Sequence, residues 1–174
     1  MNLVLLEPRN RANLATVIRS GQNFNVNTIF VIGGFVKDQY QGNIHKFSHQ
    51  MDTQNGIGNL TLIYFKNLDD FLNHLPAQTT LVVVETIKAA INLTEFKHPK
   101  NASYIFGSEG KGIIKSDLVK INTYFENLQK DIPKEFLAKH KKVAHLSYVK
   151  IDTPNSLNLG VCASIVMYDR TCKL

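Results

Sequence analysis

Short apolar runs alternate with amphipathic segments along most of this chain. Five runs predict buried strands, at residues 3–6, 28–32, 60–65, 81–85 and 103–106. Apolar residues at helical spacing predict a helix from Leu14 to Phe24, with Asn13 as its N-cap, and a short helix from Leu68 that Pro76 ends. Alternating strands and helices are typical of an α/β fold with a mainly parallel sheet and helices on both faces.

Three further segments show less regular patterns. Residues 35–59 are polar and predict irregular structure, whereas residues 115–142 predict a partly helical segment rich in lysine. Residues 157–168 are apolar nearly all round, which predicts a buried helix. Because no repeat or linker interrupts the chain, we expect residues 1–174 to form a single domain.

Charge and cysteine content narrow the choice of partner and compartment. The 174 residues carry a net charge of +6, which favours an anionic partner such as nucleic acid. Two cysteines make no disulfide framework, and the apolar run at Leu3–Leu6 is too short for a signal peptide. No run approaches the ~20 apolar residues of a membrane span. We therefore expect a cytoplasmic protein without membrane contact.

A glycine-rich loop follows the fifth strand, at Gly107, Gly110 and Gly112. A strand that runs into such a loop is how open α/β sheets build ligand sites. A Walker A loop is excluded because Gly112 stands where serine or threonine would bind magnesium. The dinucleotide fingerprint is present only in reverse order. A tight turn without a ligand remains the alternative.

Other candidate chemistry is weak in this sequence. His45 and His49 are four residues apart, but no glutamate follows His45 and no third ligand is evident, so we expect no metal. Cys162 lies in the apolar last helix and is predicted to be a core residue.

Three short motifs occur in a fixed order along the chain. The first is Asn-x5-Arg at Asn13–Arg19, the second is Gly-Ser-Glu-x-x-Gly within 107–112, and the third is Ser-Leu-Asn at Ser156–Asn158. Together they resemble the SpoU (TrmH) family of RNA ribose 2′-O-methyltransferases over essentially the whole chain. The resemblance implies S-adenosyl-L-methionine as cofactor, a carboxyl-terminal trefoil knot, a homodimer and an RNA substrate, with tRNA favoured over rRNA.

The resemblance also implies which residues form the site. The implied catalytic group is Arg19, Asn13, Glu109, Ser156 and Asn158. The implied cofactor-binding residues are Phe106, Gly107, Ser108, Gly110, Ile151, Ser156 and Leu157. Glu109 would accept a hydrogen bond from an arginine or from a nucleotide, on the RNA side of the loop, while the glycines would allow close approach of the cofactor.

The implied role of Arg19 is at the acceptor ribose. An arginine stays protonated in proteins, so it is a poor general base. We expect Arg19 to polarise the 2′-hydroxyl while a phosphate accepts the proton. We expect Arg11, Arg19, Lys139, Lys141 and Lys142 to bind RNA, the three lysines because they cluster in a positively charged segment. For the lysines, a solvated helix face is an equally good interpretation.

The chain departs from the family pattern in two places. The family's Ile-Pro-Met and following glycine are missing from residues 148–154, and the second and third motifs are separated by about one extra helix. The altered loop leaves open a catalytically silent RNA-binding module. A knotted-fold methyltransferase that acts on a base and an rRNA substrate are further alternatives.

Overall fold

A computed structural model describes residues 1–44, 60–76, 78–130 and 145–174 of the chain. The strands are β1 (Asn2–Leu6), β2 (Thr28–Ile32), β3 (Thr61–Phe65), β4 (Thr80–Val84), β5 (Ile91–Asn92), β6 (Ala102–Phe106) and β7 (His145–Lys150). The helices are α1 (Arg11–Asn23), α2 (Gly34–Tyr40), α3 (Leu68–Asn73), α4 (Lys115–Lys130) and α5 (Leu159–Lys173).

All strands of the described segments pair in parallel, in the order β3-β2-β1-β6-β4-β7-β5. The interior strands β1, β4 and β6 are almost wholly buried, which explains their nearly continuous apolar sequences. The predicted α/β class with a mainly parallel sheet is confirmed. Because β6, β4 and β7 are neighbours, the loops that follow them emerge side by side.

Two apolar layers cover the two faces of the sheet. Successive side chains of a strand point to opposite faces, so Leu5 packs in one layer and Val4 in the other. The first layer includes Leu14 of α1 and Met167 of α5, whereas the second includes residues of α3 and α4, among them Phe71 and Ile121. The prediction of helices on both faces is therefore confirmed.

Several local predictions are wrong. Residues 34–40 form helix α2 instead of irregular structure, because Phe35 and Val36 are buried in the first layer. Asn10, not Asn13, is the N-cap of α1, and its side chain accepts a hydrogen bond from the backbone N–H of Ala12 (2.8 Å). Strand β7, which precedes the third motif, was not predicted from the sequence.

The sequence predicts that the last helix is buried on all sides, but helix α5 is buried on one side only. Leu159, Ala163 and Val166 are buried, but the opposite side exposes Val161 (47%), Ile165 (36%) and Tyr168 (62%). One side of the helix is therefore buried and the other is exposed, although both sides are apolar. A polar outer face would be expected if this side met only water.

The carboxyl end of α5 is held by a cluster of polar groups. Arg170 donates to the carbonyl oxygens of Pro99 (2.7 Å) and Lys100 (2.8 Å). The buried ring of His98 lies 2.7 Å from the carboxylate of Asp169 through Nε2 and 2.7 Å from the hydroxyl of Tyr104 through Nδ1. The cluster therefore joins α5 to β6 and to the segment that precedes β6.

The trefoil knot stays a prediction, because residues 131–144 before β7 lie outside the described residues. No helix in the described part of the chain is long and apolar enough to cross a membrane.

Candidate active site

A cavity of about 450 Å³ opens at the carboxyl ends of β6, β4 and β7. Its walls are the loop after β6, the first residues after β4, the loop after β7 and the start of α5. Ligands of open parallel sheets bind at this edge, because the loops that follow neighbouring strands converge there. The volume also lies in the range of small-molecule sites, roughly 300–1,000 Å³.

The predicted cofactor residues all line this cavity. They come from two loops that are 40 or more residues apart in sequence and that face each other across the end of β4. The residues are Phe106, Gly107, Ser108, Gly110, Ile151, Ser156 and Leu157. The unusual stretch after β7 contributes Thr153 and Pro154 as well, and the Thr153 hydroxyl donates to the carbonyl oxygen of Asn155 (2.8 Å).

The glycine loop folds back on itself. The backbone N–H of Gly112 donates to the carbonyl oxygen of Ser108 (2.9 Å), and a Cβ at Gly107 would overlap the backbone of Gly112 and Ile113. Gly112 itself has a φ of +62°, and a Cβ there would overlap the carboxylate of Glu85. The loop's own geometry therefore requires these two glycines, whether or not a ligand is bound.

A hydrogen-bonded bridge joins the three motifs beside the cavity. The side-chain amide of Asn13 donates to Glu109 Oε1 (2.7 Å), and the side-chain amide of Asn158 donates to Asn13 Oδ1 (2.7 Å). The same Asn158 caps α5, since its Oδ1 accepts from the backbone N–H groups of Gly160 (2.8 Å) and Val161 (3.3 Å). The bridge fixes α1, the glycine loop and α5 relative to one another.

Glu109 is held by donors from the start of the chain. Its carboxylate accepts from the backbone N–H groups of Arg9 (2.8 Å) and Asn10 (3.2 Å) in addition to Asn13. Partial burial would raise the pKa of Glu109, but these hydrogen bonds outweigh it and hold the pKa below its usual value. The carboxylate is therefore charged at neutral pH and engaged within the protein.

This arrangement changes the expected role of Glu109. Within the described residues its hydrogen-bond partners are an asparagine side chain and two backbone N–H groups, and not the expected side chain of an arginine. With three donors already bound, the carboxylate orders the site. Asn13 likewise serves the bridge and is not an N-cap.

The two predicted arginines of α1 lie outside the cavity lining. Arg19 is exposed on α1, between Thr16, which packs against Gly160, and Ser20, whose hydroxyl lies 2.9 Å from that of Ser164. Six residues of helix, roughly 9 Å, separate Arg19 from Asn13 along the axis. Of the five predicted catalytic residues, Asn13, Glu109 and Asn158 form the hydrogen-bonded bridge. Ser156 lines the cavity beside it, and Arg19 lies apart from both.

Arg11 is fixed on the surface beside α2. Its guanidinium donates to Gln39 Oε1 through Nε (2.9 Å) and NH2 (2.6 Å), and lies 5.1 Å from the ring centre of Tyr40. Lys139, Lys141 and Lys142, predicted to bind RNA, lie outside the described residues, as do His45 and His49. Among the residues that the structure describes, no group of three potential metal ligands occurs.

Sequence reasoning missed several residues of the cavity wall, among them Glu85, Thr86, Lys111 and Cys162. Glu85 ends an apolar strand that neighbours β6 in the sheet, and that position was a usable signal once the sheet order was known. Cys162 was predicted to be a core residue, but it is only partly buried and lines the cavity. Burial, followed by the negative charge of Glu85, raises the pKa of Cys162 to about 11.

A family model matches most of the chain that forms this fold. The SpoU rRNA Methylase family matches residues 1–126, which contain β1 to β6, the first motif and the glycine loop. The chain belongs to this SpoU family. Its members are RNA methyltransferases that use S-adenosylmethionine. No curated protein matches the chain significantly.

Solved structures of SpoU and related enzymes share the fold. An enzyme studied for 2-OH methylation of C/U34 on tRNA is 19% identical, with a TM-score of 0.66 over 99% of this chain and 94% of that one. AviRb from Streptomyces viridochromogenes, in complex with AdoMet, is 12% identical, with a TM-score of 0.67 over 99% and 60%. An RNA 2′-O ribose methyltransferase is 19% identical, with a TM-score of 0.63 over 99% and 56%. At these identities the likeness shows the fold alone.

Proposed function

We propose that this SpoU protein transfers a methyl group from S-adenosylmethionine to a ribose 2′-hydroxyl of RNA, with tRNA as the substrate class. The bridge from Glu109 through Asn13 to Asn158 is the observation that carries the proposal, because it unites the three motifs beside the cavity. The 2-OH methylation enzyme of similar chain length supports the tRNA and 2′-O assignments. The free thiols of Cys162 and Cys172 suit the cytoplasm.

The cavity wall fits this methyl donor in chemical character. Phe106, Ile151 and Leu157 offer apolar surface for an adenine ring, and the folded-back glycine loop offers backbone groups for its polar edge. The carboxylates of Glu85 and Glu109 line the same cavity and suit a ligand that carries positive charge. When bound, S-adenosylmethionine supplies a methyl group on a cationic sulfur that neutral nucleophiles can attack.

The acceptor hydroxyl has to lose its proton during the transfer. Glu109 is unsuited to take it, because three donors hold its carboxylate and its pKa lies below the usual value. The guanidinium of Arg19 polarises the hydroxyl and grips the neighbouring phosphate, which accepts the proton. Glu109, Asn13 and Asn158 act as positioning residues that order the loop, the start of α1 and α5.

We propose that two copies of the chain associate through α5. The exposed Val161, Ile165 and Tyr168 are spaced by four and three residues, so they form one apolar stripe along the helix. Arg19 lies on α1 beside α5 and outside the cavity of its own subunit. An interface along the stripe therefore places Arg19 next to the second subunit, where it can serve that subunit's cavity.

We propose that Arg11, Lys139, Lys141 and Lys142 bind phosphate groups of the RNA. Arg11 is already fixed by Gln39 and Tyr40, so little side-chain freedom is lost when it contacts a phosphate. Replacing Lys139, Lys141 and Lys142 by alanine should flatten the salt dependence of RNA binding.

The experiment that tests this function is transfer of labelled methyl from S-adenosylmethionine to tRNA by wild type, Arg19→Ala and the exposed-lysine control Lys97→Ala. We expect wild type and Lys97→Ala to label tRNA equally. Arg19→Ala should lower kcat/KM for RNA by about 100-fold, because removing one hydrogen-bond donor to a developing oxyanion has an effect of this size. Its affinity for the cofactor should not change. Full activity of Arg19→Ala would remove this residue from the mechanism, and an inactive wild type on tRNA and rRNA alike would refute the function.

A further inference from the structure

Glu85 occupies a central place in the cavity wall. It follows β4, which lies between β6 and β7 in the sheet, so its side chain stands between the two loops that face each other. Glu85 Oε2 accepts a hydrogen bond from the backbone N–H of Ile113 (2.7 Å), and Oε1 accepts from that of Thr86 (2.9 Å). The carboxylate thus attaches the end of the glycine loop to the end of β4.

Two neighbours show how closely this carboxylate is built into the wall. Gly112 has a φ of +62°, and any Cβ at that position would overlap Glu85 Oε2. Cys162 on α5 lines the same cavity, and the negative charge of Glu85 adds to the effect of burial in raising the pKa of that thiol.

The negative charge of Glu85 has no basic partner in the described part of the chain. Its hydrogen bonds come from two backbone N–H groups, and no lysine, arginine or histidine there forms an ion pair with it. Backbone dipoles carry no net charge, and Lys111 is the one basic residue of the cavity lining, against the carboxylates of Glu85 and Glu109. The described cavity wall therefore keeps a net negative charge. Such a wall favours a cation over a neutral ligand of the same shape.

We propose that Glu85 sets the ligand preference of the cavity, favouring the positively charged methyl donor over the neutral product left after transfer. The proposal rests on the assignment of S-adenosylmethionine to this cavity. Donor and product differ by one methyl group and by the charge on sulfur, since the sulfonium becomes a neutral thioether. A carboxylate at the wall therefore strengthens donor binding and helps product to leave.

Calorimetric titration of the purified protein with S-adenosylmethionine and with S-adenosylhomocysteine tests this preference. Glu85→Gln keeps the size of the side chain and removes its charge, and we expect it to weaken donor binding about tenfold more than product binding. Glu95→Gln removes the same charge at an exposed position and should leave the ratio of the two dissociation constants as in wild type.

Glu85→Asp separates charge from loop attachment. Its shorter side chain weakens the contact with Ile113 but keeps the negative charge, so both ligands should lose affinity by the same factor. A purely structural role for Glu85 would give that result for Glu85→Gln too, and would overturn the proposal. An unchanged ratio in Glu85→Gln with normal binding by wild type refutes this inference alone, whereas failure of wild type to bind either ligand refutes the proposed function.

Discussion

Glu109 is the residue whose surroundings most constrain the chemistry of the site. Two of its donors, the backbone N–H groups of Arg9 and Asn10, lie between β1 and α1, and the third is the side chain of Asn13 in α1, all about 100 positions earlier in the chain. Hydrogen bonds from three donors stabilise the charged form of the carboxylate, which makes Glu109 a weak base. In the proposed reaction, the proton of the acceptor hydroxyl would therefore leave by a route that does not use Glu109.

Gly107 is the residue at which the smallest change should do the most damage. Gly107→Ala places a Cβ against the backbone of Gly112 and Ile113, so the loop has to move. We expect a loss of about 2 kcal/mol in the free energy of unfolding and at least tenfold weaker cofactor binding. Urea unfolding and calorimetry measure the two effects.

Gly21→Ala is the matched control for that substitution. Its added Cβ would lie 3.4 Å from Val26 Cβ, an ordinary contact, and Gly21 is inside helix α1. Alanine is the better helix former, so stability should stay equal or rise by up to about 1 kcal/mol. Equal behaviour of the two variants would contradict the account of the glycine loop.

At the scale of the elements, the start of α5 carries two separable functions of one side chain. Asn158→Ala removes both the cap of α5 and the bridge to Asn13, for an expected loss of about 2 kcal/mol in the free energy of unfolding. Asn158→Asp keeps the capping oxygen and loses only the donor to Asn13, so about half of that loss should remain. Urea unfolding at one protein concentration measures the free energy of unfolding of both variants. Equal losses in Asn158→Ala and Asn158→Asp would show that the bridge and the cap are not separable.

The other end of α5 should respond to pH. Burial lowers the pKa of His98 below its usual value, in spite of the opposing effect of Asp169, and its side chain is 0% exposed. The unfolded chain therefore binds the proton more readily, so stability is highest above the ordinary histidine pKa and falls as pH decreases. Between pH 7 and 5 we expect wild type to lose about 1 kcal/mol more than His98→Gln.

Unfolding curves at pH 7, 6 and 5 measure this difference. A parallel decline of wild type and His98→Gln would assign the pH dependence to other groups. The neighbours Tyr104, Asp169, Arg170 and Lys173 are present in both proteins, and Asp169 keeps its ion-pair partner Lys173 in either of them.

The elements also show what the sequence could and could not predict. Strands such as β2 were predicted with their observed bounds, because a run of apolar residues between polar turns has few other solutions. Helix α2 was missed, since only Phe35 and Val36 carry its apolar face within a polar segment. Strand β7 was missed because His145 and Ser147 break its apolar pattern, and its burial depends on β4 and β5 beside it.

The site shows the same division. The motif residues could be named from the chain because their spacing is local. The structure places Glu109 and Ser156 in the cavity wall and joins Asn13 and Asn158 to Glu109 by hydrogen bonds, but Arg19 lies apart. Their partners could not be named, since the contacts of Glu109 and Asn13 span about 100 residues and depend on how loops meet. Glu85 was missed for that reason: its role comes from the sheet order, not from any pattern in sequence.

At the scale of the whole molecule, the apolar stripe on α5 predicts association of two chains. Ile165→Glu places a charge in the middle of the stripe and should give a monomer. Val119→Glu, which changes a more exposed apolar residue (56%, against 36% for Ile165) on α4, should leave the dimer intact. Light scattering during size-exclusion chromatography measures the mass, and a monomeric wild type or a dimeric Ile165→Glu would contradict the proposed interface.

The central claim is ribose methylation, and the identity of the methylated nucleoside tests it most directly. tRNA treated with wild-type protein and S-adenosylmethionine is digested to nucleosides and analysed by mass spectrometry. The account predicts a 2′-O-methylnucleoside, recognised by loss of a methylated ribose on fragmentation and absent after treatment with Arg19→Ala. A fragment that keeps the methyl group on the base would contradict it.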